Sequence, residues 1–442
     1  MTKMAFIRIA HKDYQSDMSR EKGIEALKNI KQDGIKYFTN SEPLVDPVEA
    51  RKFAYKVLKE NVDGVLLYFD TWAEPSIAMS VILELKHLPL AIWGSPMFEY
   101  KGGLESTGSF VAIAVFSGSL KRLGISHKYI HGAVDDKNII EDIKRFAIIA
   151  KTIKALRATR IGLVGYAAMS IYSGTFDQLM LRGIIGPEVL QIDSYNLIKL
   201  AESADKKQYD QFETKVKKCA SIGTDVKPEH IEKEGRLYYG IKELVRKYDL
   251  DAINVKCQYE LSQDWGCIAC PALSLIADEG LVSGCEGDVL TTSSQVILNL
   301  LTGQAIAYGD ILNVQNGEAL FSACGFAPYS TAQDPTKVEL RDIGHPGFNG
   351  PIVSLVMKKE KVTYMRLNEK DCGYVMGIGT GEGLDTELRQ GRFPALKFKI
   401  NGSEDSFLKS LHSQHYALCF GDYTEHLKEL CEFLKIDYFL VD

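Results

Sequence analysis

Two acidic side chains bracket one helix-like segment between two apolar runs, and no other feature constrains this chain as much. Glu286 closes the run Gly280-Leu281-Val282-Ser283-Gly284-Cys285, and Asp310 closes Ala305-Ile306-Ala307-Tyr308-Gly309. Between them Val289, Val296, Ile297, Leu300 and Leu301 recur near helical spacing, and Gly303 supplies a C-terminal stop. Strand, helix, strand predicts a βαβ unit with parallel strands. Both acids would then stand at the carboxyl-end rim of one sheet, where open α/β folds bind ligands. Two carboxylates converging there can hold a divalent cation and move protons beside it. Asp288, directly before the helix, reads as its N-cap.

A chain of 442 residues is too long for one ordinary core, so two or three domains are expected. Hydrophobic residues make up 45% and charged residues 25%, the balance of a soluble globular protein. The net charge of −6, with Lys and Arg dispersed, excludes an electrostatic footprint for nucleic acid. Met1-Thr2-Lys3-Met4-Ala5-Phe6 enters a strand-like run without the pattern of a signal peptide. No apolar stretch approaches the roughly 20 residues that span a bilayer. The expectation is a cytoplasmic protein with no nucleic-acid or membrane partner.

Of the nine cysteines, Cys257, Cys267, Cys270, Cys285, Cys324, Cys419 and Cys431 lie in or beside apolar runs and read as small buried hydrophobes in a reducing compartment. Cys267-Ile268-Ala269-Cys270 has CxxC spacing but no second pair of ligands nearby, and it falls in Trp265 to Ile276, which reads as a buried helix.

Apolar strands alternate with amphipathic helices from Met4 to about Ile153, the doubly wound α/β signature. A second start follows at Arg160-Ile161-Gly162-Leu163-Val164-Gly165, and Asp251 to Lys256 forms a later strand that delivers Gln258 to its end. Beyond Gly317, Pro, Gly, Thr and Val rise and helices become scarce. The expected architecture is therefore α/β. It comprises an N-terminal α/β domain over 1–155, a second α/β domain over 156–316 with both carboxylates, and a smaller, mainly β domain over 317–442.

His415, just ahead of the strand Tyr416 to Phe420, is of the residue type that usually joins two carboxylates on a cation. Spacing by itself leaves a ligand and a surface histidine both open. Gly377-Ile378-Gly379-Thr380-Gly381-Glu382-Gly383 lacks the strand, tight turn and helix of a phosphate loop and reads as a flexible loop. After Gly162 and Gly165, Tyr166-Ala167-Ala168 puts bulk where a dinucleotide fingerprint requires glycine.

Taken together, these residues resemble the L-fucose/L-arabinose isomerases, most closely the fucose isomerase branch, over most of the chain. The resemblance rests on Asp63 to Leu67, Ala91 to Pro96, Ser106 to Phe110 and Leu120 to Ile125 in the first domain, and on Arg160 to Gly165 with Met169 to Thr175 in the second. Its most specific elements are Cys285-Glu286-Gly287-Asp288, Leu301-Thr302-Gly303, Gly309-Asp310 and Gln414-His415 with Gly421-Asp422. It implies that Glu286, Asp310 and His415 are ligands of a divalent cation, usually Mn²⁺, and that Gln258 lies near the sugar hydroxyls. It further implies a trimer or hexamer in which the first domain of one subunit covers its neighbour's site.

The chain is much shorter than a typical fucose isomerase. Ala167 stands where the family often carries arginine, and Ala323 where many relatives have a polar residue. Metal chemistry survives these departures, whereas sugar identity does not transfer, and a 6-substituted sugar becomes a candidate. The expected activity is aldose–ketose isomerisation, an intramolecular oxidoreduction, through a cis-enediol, with Glu286 and Asp310 sharing acid–base duty. Two rivals follow from the same residues: a non-catalytic sugar-binding relative, and a lyase or epimerase that uses the same enediolate.

Overall fold

The computed structural model describes residues 1–31 and 34–442, and the chain divides into two compact units, Met1–Lys154 and Ala155–Asp442. The first unit is built on a five-stranded parallel sheet. From edge to edge its strands are Ile35–Thr39, Thr2–Ile9, Gly64–Phe69, Leu90–Gly94 and Lys128–His131. The three central strands are buried on both faces, which is why they read as near-continuous apolar runs. Helix starts follow local chemistry. Ser16 and Ser19 form a reciprocal cap on Asp17–Ile30, and Asp46 caps Pro47–Lys59 with proline at its first position.

The second unit opens with a four-stranded parallel sheet in the order Val282–Cys285, Ala252–Val255, Arg160–Val164 and Glu188–Ile192. It continues into a β-rich part. The strands Lys361–Lys370, His415–Phe420, Ala307–Gln315, Glu318–Ser322, Ala395–Ile400 and Gly373–Gly383 pair in sequence, and the last pairs back with the first. The ring thus closes on itself, and the short strand Asp437–Leu440 adds to it in parallel alongside Gly373–Gly383. One hydrophobic core runs from the parallel sheet into the ring, from Ile253 and Leu273 to Phe321 and Tyr364. The fold is thus mixed α/β with helix-flanked parallel sheets and a β-rich C-terminal region, as the sequence leads one to expect.

Three expectations are overturned. Val282–Cys285 and Ala307–Gln315 are not parallel neighbours in one βαβ unit. The first lies in the parallel sheet, whereas the second pairs antiparallel with Glu318–Ser322 and His415–Phe420. The cause is the dipeptide Asn316-Gly317, whose positive φ values of 56° and 74° turn the chain tightly. Asn-Gly is the strongest short hairpin signal, and here it folds Ala307–Gln315 back on its successor. The glycine-rich segment 377–383 is likewise no flexible loop but the interior of strand Gly373–Gly383. Its glycines make room for aromatic neighbours: a Cβ on Gly379 would stand 2.2 Å from the Tyr364 ring, and one on Gly381 would stand 2.4 Å from Phe398.

The segment read as one helix from Trp265 to Ile276 is in fact two pieces, a π-helical turn over Glu260–Trp265 and an α-helix over Cys270–Asp278 with Pro271 in its first turn. Helix Val289–Thr302 is buried almost throughout, although Thr291 to Gln295 are all polar. Most of their groups are satisfied internally, the exception being Gln295 Oε1, which has no partner among the described residues. Thr292, Ser293 and Ser294 donate to carbonyls four residues back, and Gln295 donates to Ser283 O and Ile306 O.

Candidate functional site

Glu286 occupies the turn between strand Val282–Cys285 and helix Val289–Thr302. Its φ of 62° is a left-handed conformation that a residue with a Cβ adopts at a cost of about 1 kcal/mol or more. The surroundings hold it there. Asn254, on the adjacent strand, reaches Cys285 O at 3.0 Å, Asp288 O at 3.2 Å and Thr292 Oγ1 at 2.8 Å, while its Oδ1 accepts from Gly287 N at 2.8 Å. Gly287 is obligatory, because with φ of 72° an added Cβ would lie 2.1 Å from Tyr166 O. The Glu286 carbonyl in turn accepts from Ala168 N at 2.8 Å.

Asp310 and His415 come from the strand ring, where they are direct cross-strand partners. His415 is buried, and its Nε2 lies 3.3 Å from Glu286 Oε2 and 3.5 Å from Asp310 Oδ1. The three residues implied by the resemblance therefore converge, although by a different route from the one the sequence suggested. Asp310 is placed by antiparallel pairing inside the ring, not by the rim of the parallel sheet.

The far side of the imidazole is equally fixed. His415 Nδ1 lies 2.9 Å from Asp288 Oδ2, and the same oxygen accepts from Arg366 Nη1 at 2.8 Å. Asp288 Oδ1 caps the helix through Thr291 N at 2.9 Å. The N-cap reading of Asp288 is correct, but the second oxygen has a further task that sequence spacing did not disclose. Arg366 is completely buried and also reaches His415 O at 3.1 Å, Ser173 O at 2.6 Å and Asn368 Oδ1 at 2.9 Å.

This network sorts the acids electrostatically. Burial pushes Glu286 up to about 7, against the lowering influence of His415. Burial likewise raises Asp310. Asp288 is also penalised by burial, but the Arg366 charge and the His415 hydrogen bond hold it well below the usual carboxylate range. His415 is opposed by burial, yet its hydrogen bonds to Asp288 and Glu286 raise it to about 10. The imidazolium supplies the positive charge that two neighbouring carboxylates require.

Among the described residues no set of three His, Cys, Asp or Glu side chains forms a ready-made metal cage. The donor set nevertheless fits a divalent cation. The carboxylate behind Nδ1 fixes the ring so that Nε2 faces two further carboxylates, the support that a metal-binding histidine normally has.

Gln258 is buried just beyond strand Ala252–Val255, and its Oε1 has no partner among the described residues. No hydrogen bond joins it to the trio. An orphaned buried amide oxygen of this kind demands a donor from elsewhere. The buried Tyr308 hydroxyl is also unpartnered, and its ring lies 4.8 Å from that of His415. Cys324 donates to Glu286 Oε1 across 3.6 Å and touches Cys270 and Cys285, so this thiol belongs to the site and is not merely core filling. Asn254, Arg366 and Cys324 carried no local sequence signal, since their roles depend on partners distant in the chain.

No family model matches the chain. Curated proteins do match along its length. A sulfoquinovose isomerase of Priestia aryabhattai is 26% identical, covering 99% of this chain and 98% of its own. One from Priestia megaterium shows the same figures. A third, from Alkalicoccus urumqiensis, is 23% identical over 83% of this chain and 84% of its own. These relatives point to a sugar isomerase of the L-fucose/L-arabinose isomerase-like kind.

Proposed function

We propose that this chain is an aldose–ketose isomerase that acts on a hexose substituted at C6, with a sulfonated hexose such as sulfoquinovose as substrate. The observation that carries the reading is the convergence of Glu286, Asp310 and His415 on one point, with Asp288 and Arg366 locking the imidazole from behind. Full-length similarity to sulfoquinovose isomerases supports the reaction class and the C6 substituent.

Glu286, Asp310 and His415 are the residues that would hold a divalent cation, Mn²⁺ in the family the sequence resembles. When bound, such an ion polarises the sugar carbonyl and stabilises enediolate charge without consuming a proton. The chain's own groups do the rest. Glu286, held by its turn beside His415 Nε2, is placed to exchange a proton between C2 and C1. Asp310, facing it across His415 Nε2, assists transfer between the two oxygens. Asp288 and Arg366 keep the imidazole from rotating, and the orphaned Gln258 amide oxygen accepts from a sugar hydroxyl. A trimer or hexamer in the cytoplasm completes the proposal.

The test is Glu286→Gln with sulfoquinovose and Mn²⁺, read by ketose formation. Turnover should vanish while the circular dichroism spectrum is unchanged. Activity close to that of the unaltered protein refutes the assignment.

A further inference from the structure

We infer that Arg389 is the subsite for the C6 substituent and that it selects a singly charged sulfonate; this rests on the reading of the site as a hexose isomerase. Buried cations elsewhere in this protein have carboxylate partners: Arg8 with Asp70, Arg366 with Asp288, and Lys256 with Glu260. Arg389 is half-buried and forms no ion pair with any described residue. A cation withdrawn from water without a counter-ion is costly unless an anion arrives to pair with it.

Its position links it to the reacting groups. Nε donates to Ser322 Oγ at 2.9 Å and Nη2 to Ala323 O at 3.2 Å, while the guanidinium stacks 4.1 Å from the Phe393 ring centroid. Ser322 is the direct cross-strand partner of Asp310, and Cys324, next after Ala323, donates to Glu286 Oε1. The guanidinium is therefore clamped over the stretch that joins the two catalytic carboxylates, and Nη1 has no partner among the described residues. The clamp is rigid. Arg389 and Phe393 bridge a tight turn in which Gln390 and Gly391 have φ of 52° and 71°.

Charge decides between two tetrahedral oxyanions. One guanidinium balances one negative charge and leaves a second without a partner. A sulfonate is a monoanion at neutral pH, whereas a phosphate monoester carries close to two charges. The site thus favours the sulfonate.

Calorimetry on the full chain with sulfoquinovose, 6-deoxyglucose and glucose 6-phosphate tests this, using the unaltered protein, Arg389→Met and Arg389→Lys. The unaltered protein should bind sulfoquinovose the tightest of the three. Arg389→Met should lose the preference over 6-deoxyglucose by about 10- to 100-fold, the range for a hydrogen bond to a charged group. Arg389→Lys should keep part of it. The ratio of kcat/KM values for the two sugars should fall in parallel. Methanesulfonate, a monoanion like the sugar's sulfonate, should compete with sulfoquinovose but not with 6-deoxyglucose in the unaltered protein, a readout that needs no variant to fold. A preference that survives in Arg389→Met, or tighter binding of glucose 6-phosphate, overturns the inference. Loss of the binding preference in a protein that makes no ketose leaves the anion subsite standing and refutes the isomerase reading instead.

Discussion

Asp310 and His415 face each other directly across antiparallel strands, and this register places Nε2 3.5 Å from the Asp310 carboxylate. Slipping the pairing by one residue would turn His415 to the opposite face of the ring and dismantle the site. The geometry of this trio is therefore a property of strand pairing as much as of side-chain identity.

Asp288→Asn tests the support behind His415. The amide keeps the shape but leaves Arg366 buried without its counter-charge, which should cost about 3–5 kcal/mol in denaturant unfolding. It also weakens control of the imidazole, so metal affinity or activity should fall about 10- to 100-fold. Near-normal values in both assays contradict the proposed role.

Asn254→Ala removes the clamp on the strained Glu286 turn. Gly287 N loses its acceptor and Cys285 O loses a donor. Stability should drop by about 1–3 kcal/mol, the cost of buried groups left unpaired. Activity should fall with it, because Glu286 is no longer held at a φ of 62°. Comparing kcat with urea midpoints separates the two effects.

Gly379→Ala probes the strand that the glycine-rich segment forms. The new methyl must displace the Tyr364 ring, which stands 2.2 Å away. Overpacking of this kind costs about 1–3 kcal/mol, visible as a lowered thermal midpoint. A flexible loop would tolerate the change, so an unaltered midpoint argues against the strand assignment.

The pH dependence of the chelator-treated protein has a definite sign. His415 is raised to about 10 and Glu286 to about 7, both above their ordinary values. Groups of this kind favour the fold at low pH. Their contribution is complete below the ordinary values and is lost as pH rises through 7 and then 10. The thermal midpoint should therefore fall between pH 7 and 9, and less steeply in His415→Gln. Mn²⁺ must expel the His415 proton, so its affinity should increase over the same interval, by about tenfold per pH unit. A Mn²⁺-induced rise in midpoint that shrinks with pH contradicts this.

Alternation of apolar runs and amphipathic helices in the sequence by itself determined the parallel sheets, and the identities of Glu286, Asp310 and His415 stood out through their family-like motifs. Helix Pro228–Tyr248 carries a local start signal, proline at its first position. The partner of strand Ala307–Gln315 was misjudged, although the decisive Asn316-Gly317 turn was present in the sequence. What only the tertiary structure decided is how the acids divide their labour. Asp288 becomes the fixed anion behind His415 through Arg366, which lies far along the chain, and Glu286 gains its raised pKa by burial. Burial and cross-chain pairing arise only after the strand ring closes on the parallel sheet, so no local pattern could encode them.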